Sequence, residues 1–193
     1  MRKLLLLLLL LPFIGLGQVS TFPWIHNFEN NLPLQQDQND NGDWLLKTGG
    51  TPSFNTGPNG DHTTGNGVYF YVESSSPNYP SKQFITYTPT FDVSATPGKV
   101  LSFWYHMFGP AMGELEVAIV DSFGSYIFID AYNGDQGMAW KLGYYPLDSF
   151  NLQNNFKIAF VGNTGTSFTS DICIDDIMIS DPYSIIYGCT DTV

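Results

Sequence analysis

The side chains in this sequence whose types and spacing suggest chemistry are carboxylates. Asp175 and Asp176 stand side by side inside an otherwise apolar run, with Ile172-Cys173-Ile174 before them and Ile177-Met178-Ile179 after. Such a run reads as a strand, and alternation turns successive side chains to opposite faces, so at least one of the two carboxylates points inward. A buried carboxylate without a partner is costly. Either a bound cation or protein groups (an Arg, a Lys or backbone amides) must satisfy it, and basic residues are scarce: 7 Lys and Arg against 18 Asp and Glu. Glu29, at the first predicted strand, and Asp61, in a glycine-rich turn, supply further carboxylates. The first and last strands of a sandwich are often neighbours, so Glu29, Asp61 and one of Asp175 and Asp176 form a candidate ligand set for a hard cation. Calcium, which takes carboxylate and carbonyl oxygens, is the expected ion, in a structural role.

No catalytic signature accompanies these carboxylates, and the chain reads as a non-enzyme. His26, His62 and His106 are the only histidines. They are far apart, no Cys stands beside them, and they fall in neither an HExxH nor a GxSxG, so zinc and hydrolase readings lack support. His106 lies within a predicted strand, where a packed, hydrogen-bonded imidazole is expected. His62, between Asp61 and Thr63, is expected to order its turn. Asp37 to Asp43 places oxygen side chains at alternating positions around Gly42. It lacks the terminal Glu and the flanking helices of an EF-hand, and reads as a surface loop.

The elements that must position these groups are strands. No stretch sustains a helical period. Short runs rich in Val, Ile, Phe, Tyr and Thr recur instead, separated by Gly, Pro, Asn, Asp and Ser. Val68–Val72, Phe84–Thr88, Lys99–His106, Glu114–Val120, Tyr126–Ile129, Trp140–Tyr144, Phe156–Val161 and Ile172–Ile179 are such runs. In Glu114–Val120 the alternation directs Leu115, Val117 and Ile119 inward. Around residues 101–108 both faces are apolar, which suits a central strand covered on both sides. About ten short strands with polar turns fit an all-β sandwich of two antiparallel sheets.

The ends of the chain bear on compartment. Met1-Arg2-Lys3 followed by the apolar run Leu4–Leu11 and the small residues Gly15 and Gly17 has the layout of a secretory signal peptide, residues 1–17, with cleavage before Gln18. After cleavage no later segment reaches the length of a transmembrane helix. The expected location is outside the cell, secreted or at the surface. Residues 18–182 read as one domain. Residues 183–193, with Cys189, resemble the start of a truncated repeat or linker of the kind found in secreted proteins of the Bacteroidetes type. A net charge of -11 disfavours nucleic-acid partners. With only Cys173 and Cys189 present, an unpaired and buried Cys173 is expected over a bridge between the two.

Several of these residues also carry a family likeness. Phe28-Glu29, Trp44, the turn Gly57-Pro58 to Asp61-His62-Thr63, the strand Phe103-Trp104-Tyr105-His106-Met107 with Gly109, then Gly113-Leu115-Val117, Trp140, Phe156-Ile158-Phe160 with Gly162 and finally Ile174-Asp175-Asp176-Ile177 follow one another in this order. In that order they resemble the MAM domain of meprins, neuropilins and receptor tyrosine phosphatases, here in a bacterial secreted version. The resemblance covers roughly residues 22–182. It implies a jelly-roll sandwich, roles in adhesion, recognition and homo-oligomer formation, and a calcium ion held by the carboxylates matching Glu29, Asp61 and the Asp175-Asp176 pair. The cysteines that animal members usually carry are missing. The resulting expectation is a non-enzymatic module that binds an extracellular protein or glycan through loops at one end, with Trp24, Tyr132, Tyr144 and Tyr145 as contact candidates if they are not core. The alternative is an accessory, carbohydrate- or protein-binding domain of a larger secreted hydrolase, a protease or glycosidase.

Overall fold

The computed structural model describes residues 17–150, 152 and 155–182, so the leader through residue 16 and the tail from 183 with Cys189 lie outside the described residues. In chain order the strands are β1 (Trp24–His26), β2 (Gln35–Gln36), β3 (Leu45–Thr48), β4 (Val68–Val72), β5 (Gln83–Tyr87) and β6 (Phe91–Asp92). They continue as β7 (Val100–Met107), β8 (Glu114–Asp121), β9 (Tyr126–Asn133), β10 (Lys141–Pro146), β11 (Asn155–Asn163) and β12 (Ile172–Ser180). Apart from one 3-10 turn at Leu147–Phe150, the described residues hold strands and loops. Two antiparallel sheets result. The first has the order β3-β4-β12-β7-β10, with β1 also on β12; the second has β2-β5-β11-β8-β9, with β6 also on β11. Every crossing from β9 onward changes sheet, the winding of a jelly roll, and β1 does lie beside the last strand, with Trp24 opposite Ile179 and His26 opposite Ile177.

Alternation builds the core between the sheets. Leu101, Phe103, Tyr105 and Met107 of β7 face Leu115, Val117 and Ile119 of β8 and Phe156, Ile158 and Phe160 of β11 in one cluster. Burying a side chain of this size contributes roughly 1.5–3 kcal/mol, and aromatic pairs such as Phe103–Phe160, with ring centroids 5.0 Å apart, add edge-to-face geometry. Trp44 fills the end of the core, its indole nitrogen donating to the Phe84 carbonyl at 3.0 Å. Room for it comes from Gly162, where a Cβ would stand 2.9 Å from Val72 and 3.1 Å from the Trp44 ring.

The opposite face of the first sheet explains the two apolar faces of β7. Ser102, Trp104 and His106 alternate outward, yet His106 is buried, as are Tyr69, Tyr71 and Cys173, which form a second cluster with Trp140 against it. The covering comes from the long connection between β3 and β4. Tyr69 donates to the Gly49 carbonyl at 2.8 Å, and Trp140 donates to the Gly60 carbonyl at 3.2 Å. Cys173 is free and buried, and burial pushes its thiol well up from its ordinary value.

Trp44→Ala should destabilise the domain by about 3–5 kcal/mol, the range for large aromatic truncations in a core. Urea denaturation followed by tryptophan fluorescence measures it; a loss under 1 kcal/mol would mean that the core end collapses onto the space.

Candidate functional site

The predicted carboxylates gather where three segments meet: the turn after β1, the loop before β4, and the middle of β12. Phe28 begins the assembly. Its backbone is left-handed, at φ 59°, a strained state for a bulky residue. Its ring is locked by stacking on Phe70, centroids 5.0 Å apart, and by edge contact with His26. The reversal throws Glu29 across to β4, where Oε1 accepts the Val68 amide at 2.9 Å.

Asp61 reaches the same spot from the loop. It is 4% exposed, and its oxygens accept the Thr64 amide at 2.8 Å, the Thr64 hydroxyl at 3.0 Å and the Gly67 amide at 2.5 Å. Burial raises its pKa, but the hydrogen bonds from the loop outweigh that, and the carboxyl titrates below its ordinary value. Gly67 is where the two acids converge. A Cβ there would lie 2.0 Å from Glu29 Oε1 and 3.0 Å from the Asp61 carboxyl carbon, so both carboxylates occupy one small volume against bare backbone.

Asp175 and Asp176 do something different, and here the structure corrects the strand reading. Simple alternation would put one of them into the sandwich core. Instead Ile174 and Ile177, three residues apart, both face the core, because the ladder with β7 shifts register between Asp175 and Met178. The extra residue is a β-bulge, with Asp176 at φ 45°. Asp175 pairs with Trp104 on the outer face and is 1% exposed, buried beneath the loop and not within the core. Its Oδ2 accepts the His62 amide at 2.9 Å and its Oδ1 the Asp176 amide at 2.8 Å. Asp176 Oδ2 receives the His62 ring at Nδ1, 2.7 Å away, and the Thr63 hydroxyl at 2.5 Å. The His62 ring lies flat on Trp104, with centroids 3.7 Å apart. The two aspartates thus latch the turn that carries Asp61.

Glu29 and Asp61 are brought together, then, while the Asp175-Asp176 pair is spent on the latch. Among the described residues no three His, Cys, Asp or Glu side chains close into one metal-binding group. Ion pairs among them are His62–Asp176 and Lys99–Asp181, so no Lys or Arg answers Glu29, Asp61 or Asp175. Burial raises the Asp175 pKa to about 7, with the charges of Asp176 and Asp61 pushing the same way.

Sequence reasoning passed over a further buried acid. Asp171 is fully buried, and its Oδ1 accepts the Ser74 amide at 2.9 Å and the Ser74 hydroxyl at 2.8 Å, while Oδ2 has no partner. Burial raises its pKa to about 6. Asp171 precedes Ile172, the first residue of β12, and only the alternation of β12 itself hinted at its burial.

The remaining expectations divide. His106 is packed as expected, with Nε2 on the Met138 carbonyl at 3.0 Å. The acids of the Asp37–Asp43 loop serve their own turns and the neighbouring β5: Asp37 accepts the Asn39 amide and the Tyr87 hydroxyl, and Asp40 the Gly42 and Ile85 amides. Of the contact candidates only Tyr144 is exposed. Tyr132 stacks on Tyr105 and its hydroxyl meets that of Tyr145, while Trp24 packs against Phe91 and the stacked ring of His26.

Comparison with known proteins agrees with this architecture. The family model described as "MAM domain, meprin/A5/mu" matches residues 27–183. The chain is 33% identical over 168 residues to "Thyroid hormone-induced protein B" of Xenopus laevis, which covers 85% of this chain and 24% of that protein. It is 36% identical over 153 residues to "MAM domain-containing protein 2" of Homo sapiens, covering 77% of this chain and 21% of that one. It therefore spans less than a quarter of the length of these curated relatives. Among solved structures, the K1 cleaved adhesin domain of Lys-gingipain from Porphyromonas gingivalis W83 shares the fold, with a TM-score of 0.55 at 17% identity over 83% of this chain and 99% of that one.

Two measurements check the site's electrostatics and packing. Asp171 and Asp175 keep their protons in the fold at pH values where the unfolded chain has lost them. Their contribution to stability is therefore complete below about pH 4 and is lost as pH rises through the folded values, about 6 and about 7. In metal-free buffer the melting temperature should fall across that window. Asp171→Asn should flatten the lower part and raise the midpoint at pH 8, whereas a midpoint unchanged or lowered there would mean that the ionised carboxylate is well accommodated. Separately, Gly67→Ala should lower the melting temperature by several degrees, because the methyl group must displace Glu29; a neutral result would show that Glu29 is free to move away.

Proposed function

The chain belongs to the MAM domain family, and from that premise we propose that it is a secreted, non-catalytic recognition module of bacterial type that carries one structural calcium ion and binds an extracellular protein or glycan. The match across residues 27–183 carries the reading. The signal-peptide pattern of residues 1–17 supports secretion, with residues 18–182 as the folded unit. The histidines support the absence of catalysis because each has a structural partner: His26 the Leu32 carbonyl, His62 the β12 bulge, His106 the Met138 carbonyl. Service as an accessory domain of a larger secreted hydrolase is the second reading, favoured by relatives several times longer than this chain. The complete open reading frame separates the two.

Calcium fits the site in part. Two carboxylates share a volume too small for a side chain above Gly67 and lack a basic partner, an arrangement that favours a divalent cation. Glu29 and Asp61 would hold it, with backbone carbonyls of the 60–67 loop as the further oxygen donors that calcium requires. When bound, the ion neutralises like charge and ties β1 to the loop. Asp175 and Asp176 act beside it by holding the loop in place.

Melting curves in EDTA and in millimolar calcium test the ion. Saturation at about a hundred times Kd adds about 2.7 kcal/mol, which corresponds to a rise of roughly 5–10 °C for a domain of this size. Glu29→Gln and Asp61→Asn should abolish that rise, whereas Asp176→Ala should lower both curves and leave the difference between them. A wild-type protein indifferent to calcium would remove the ion from the proposal. For the module itself, the purified chain should be retained by immobilised extracellular glycans or proteins without turning over chromogenic glycosides or peptide esters. Steady turnover that survives further purification would overturn the non-catalytic reading.

A further inference from the structure

Among the described residues no loop folds over the centre of the second sheet's outer face, unlike that of the first, and Tyr126 and Phe128 stand exposed on it. Its ladder rows can be read across the strands. Gln35 pairs with Tyr87, Tyr87 with Ala159, Ala159 with Ala118 and Ala118 with Phe128. In the next row Lys157 pairs with Val120 and Val120 with Tyr126. Two alanines at the centre, flanked by aromatic rings, leave a trough. Tyr87 and Tyr126 lean across it until their hydroxyls meet at 2.5 Å, although they stand on strands separated by two others. Beside this bridge opens a groove of about 560 Å³, inside the range of about 300–1,000 Å³ typical of small-ligand sites.

We propose that this groove is a binding site for a neutral saccharide, with its apolar ring face against Tyr126 and its hydroxyls on Gln35, Lys157 and Asp121. The proposal rests on the reading of the domain as a recognition module and names a ligand class and a place. Three observations favour a neutral, hydroxyl-rich ligand over others. The groove carries one cationic side chain, Lys157, and one anionic, Asp121, so its own charge balances. The chain's net charge of -11 repels sulfated glycans, nucleic acids and other polyanions. And β11 and β8, which supply Lys157, Val120 and Asp121 to the groove, each have a strand on both sides, so a peptide cannot join there as an added strand.

The polar groups in the groove are also placed and incompletely used. Lys157 Nζ donates to Gln35 Oε1 at 3.0 Å and sits 5.9 Å from the Tyr87 ring centre; among the described residues its two other ammonium hydrogens and the Gln35 amide hydrogens have no acceptor. Asp121 Oδ1 accepts the Phe123 and Ser125 amides, both at 2.8 Å, and its other oxygen has no protein donor among the described residues. Free donors and an incompletely used carboxylate thus belong to residues lining one groove. A sugar hydroxyl both donates and accepts, so vicinal hydroxyls can serve the two at once. Tyr126, 49% exposed and lining the groove, supplies ring surface beside them.

The purified chain would be titrated calorimetrically with cellotriose, xylotriose, mannotriose and β-1,4-galactotriose, and with a sulfated trisaccharide for comparison. Saturable binding of at least one neutral trisaccharide is expected, weakened at least tenfold in both Tyr126→Ala and Gln35→Ala. Phe54→Ala, at a position 87% exposed on the loop over the first sheet, should bind as the wild type does. Melting curves establish that each variant is folded. No binding of any neutral trisaccharide by folded protein, binding undiminished in both groove variants, or a preference for the sulfated ligand would each overturn the proposal. Retention of an extracellular protein alongside a blank saccharide titration would leave the recognition reading standing while removing this groove from it.

Discussion

The grip of β12 on the His62 turn is the interaction on which the rest of this domain depends. Asp175 takes the His62 amide, and Asp176 takes the imidazole and the Thr63 hydroxyl, across more than a hundred residues of sequence. These contacts hold the loop over the outer face of the first sheet. Without the loop, Trp104, Tyr69, Tyr71, His106 and Cys173 would meet water on a face that β7 and β4 have built to be apolar. Hydrogen bonds to a carboxylate are stronger than neutral ones, which offsets part of the cost of burying Asp175. The same latch anchors the turn that carries Asp61, whose own hydrogen bonds to Thr64 and Gly67 keep its carboxylate beside Glu29.

Strain and like charge concentrate at that junction. Phe28 and Asp176 both hold left-handed backbone, one held by ring stacking and the other by the ladder around the bulge. Each costs of order 1–2 kcal/mol relative to an ordinary conformation. Both serve to aim a carboxylate, Glu29 across to Gly67 and Asp176 toward His62. Glu29 and Asp61 meanwhile share one small volume, with no Lys or Arg in answer among the described residues. A bound cation would convert that repulsion into cohesion between the first strand and the loop, which is the physical basis of the calcium proposal.

The two sheets use their outer faces in opposite ways. The first surrenders its face to a loop and becomes a three-layer wall. Alanines near the centre of the second let two distant tyrosines meet above them and leave a groove beside that bridge. Apart from Tyr144, the aromatics that reach solvent are not those a sequence scan would choose. Tyr132 and Tyr145 are drawn into the core by each other's hydroxyls and by stacking on Tyr105 and Phe103. Tyr126 and Phe128 stay outside because the β8–β9 ladder carries them on the outward side of a bulged pairing.

By itself the sequence determined the all-β class, the inward positions of β8, the doubly covered character of β7 and the family, and it singled out Glu29, Asp61 and the two aspartates as carboxylates set among apolar or turn residues. Those are properties of pattern and composition: period-two alternation, scarce basic residues and acids set in an apolar run are visible without coordinates. Only the tertiary structure decided what each acid does. A bulge of one residue at Asp175-Asp176 reverses the assignment of faces, and nothing in Ile-Asp-Asp-Ile announces it, because the extra residue is stabilised by a turn more than a hundred positions away. The burial of Asp171, the convergence on Gly67 and the Tyr87–Tyr126 bridge have the same origin. Each depends on which strands become neighbours, and in a jelly roll strand neighbours are mostly distant in sequence.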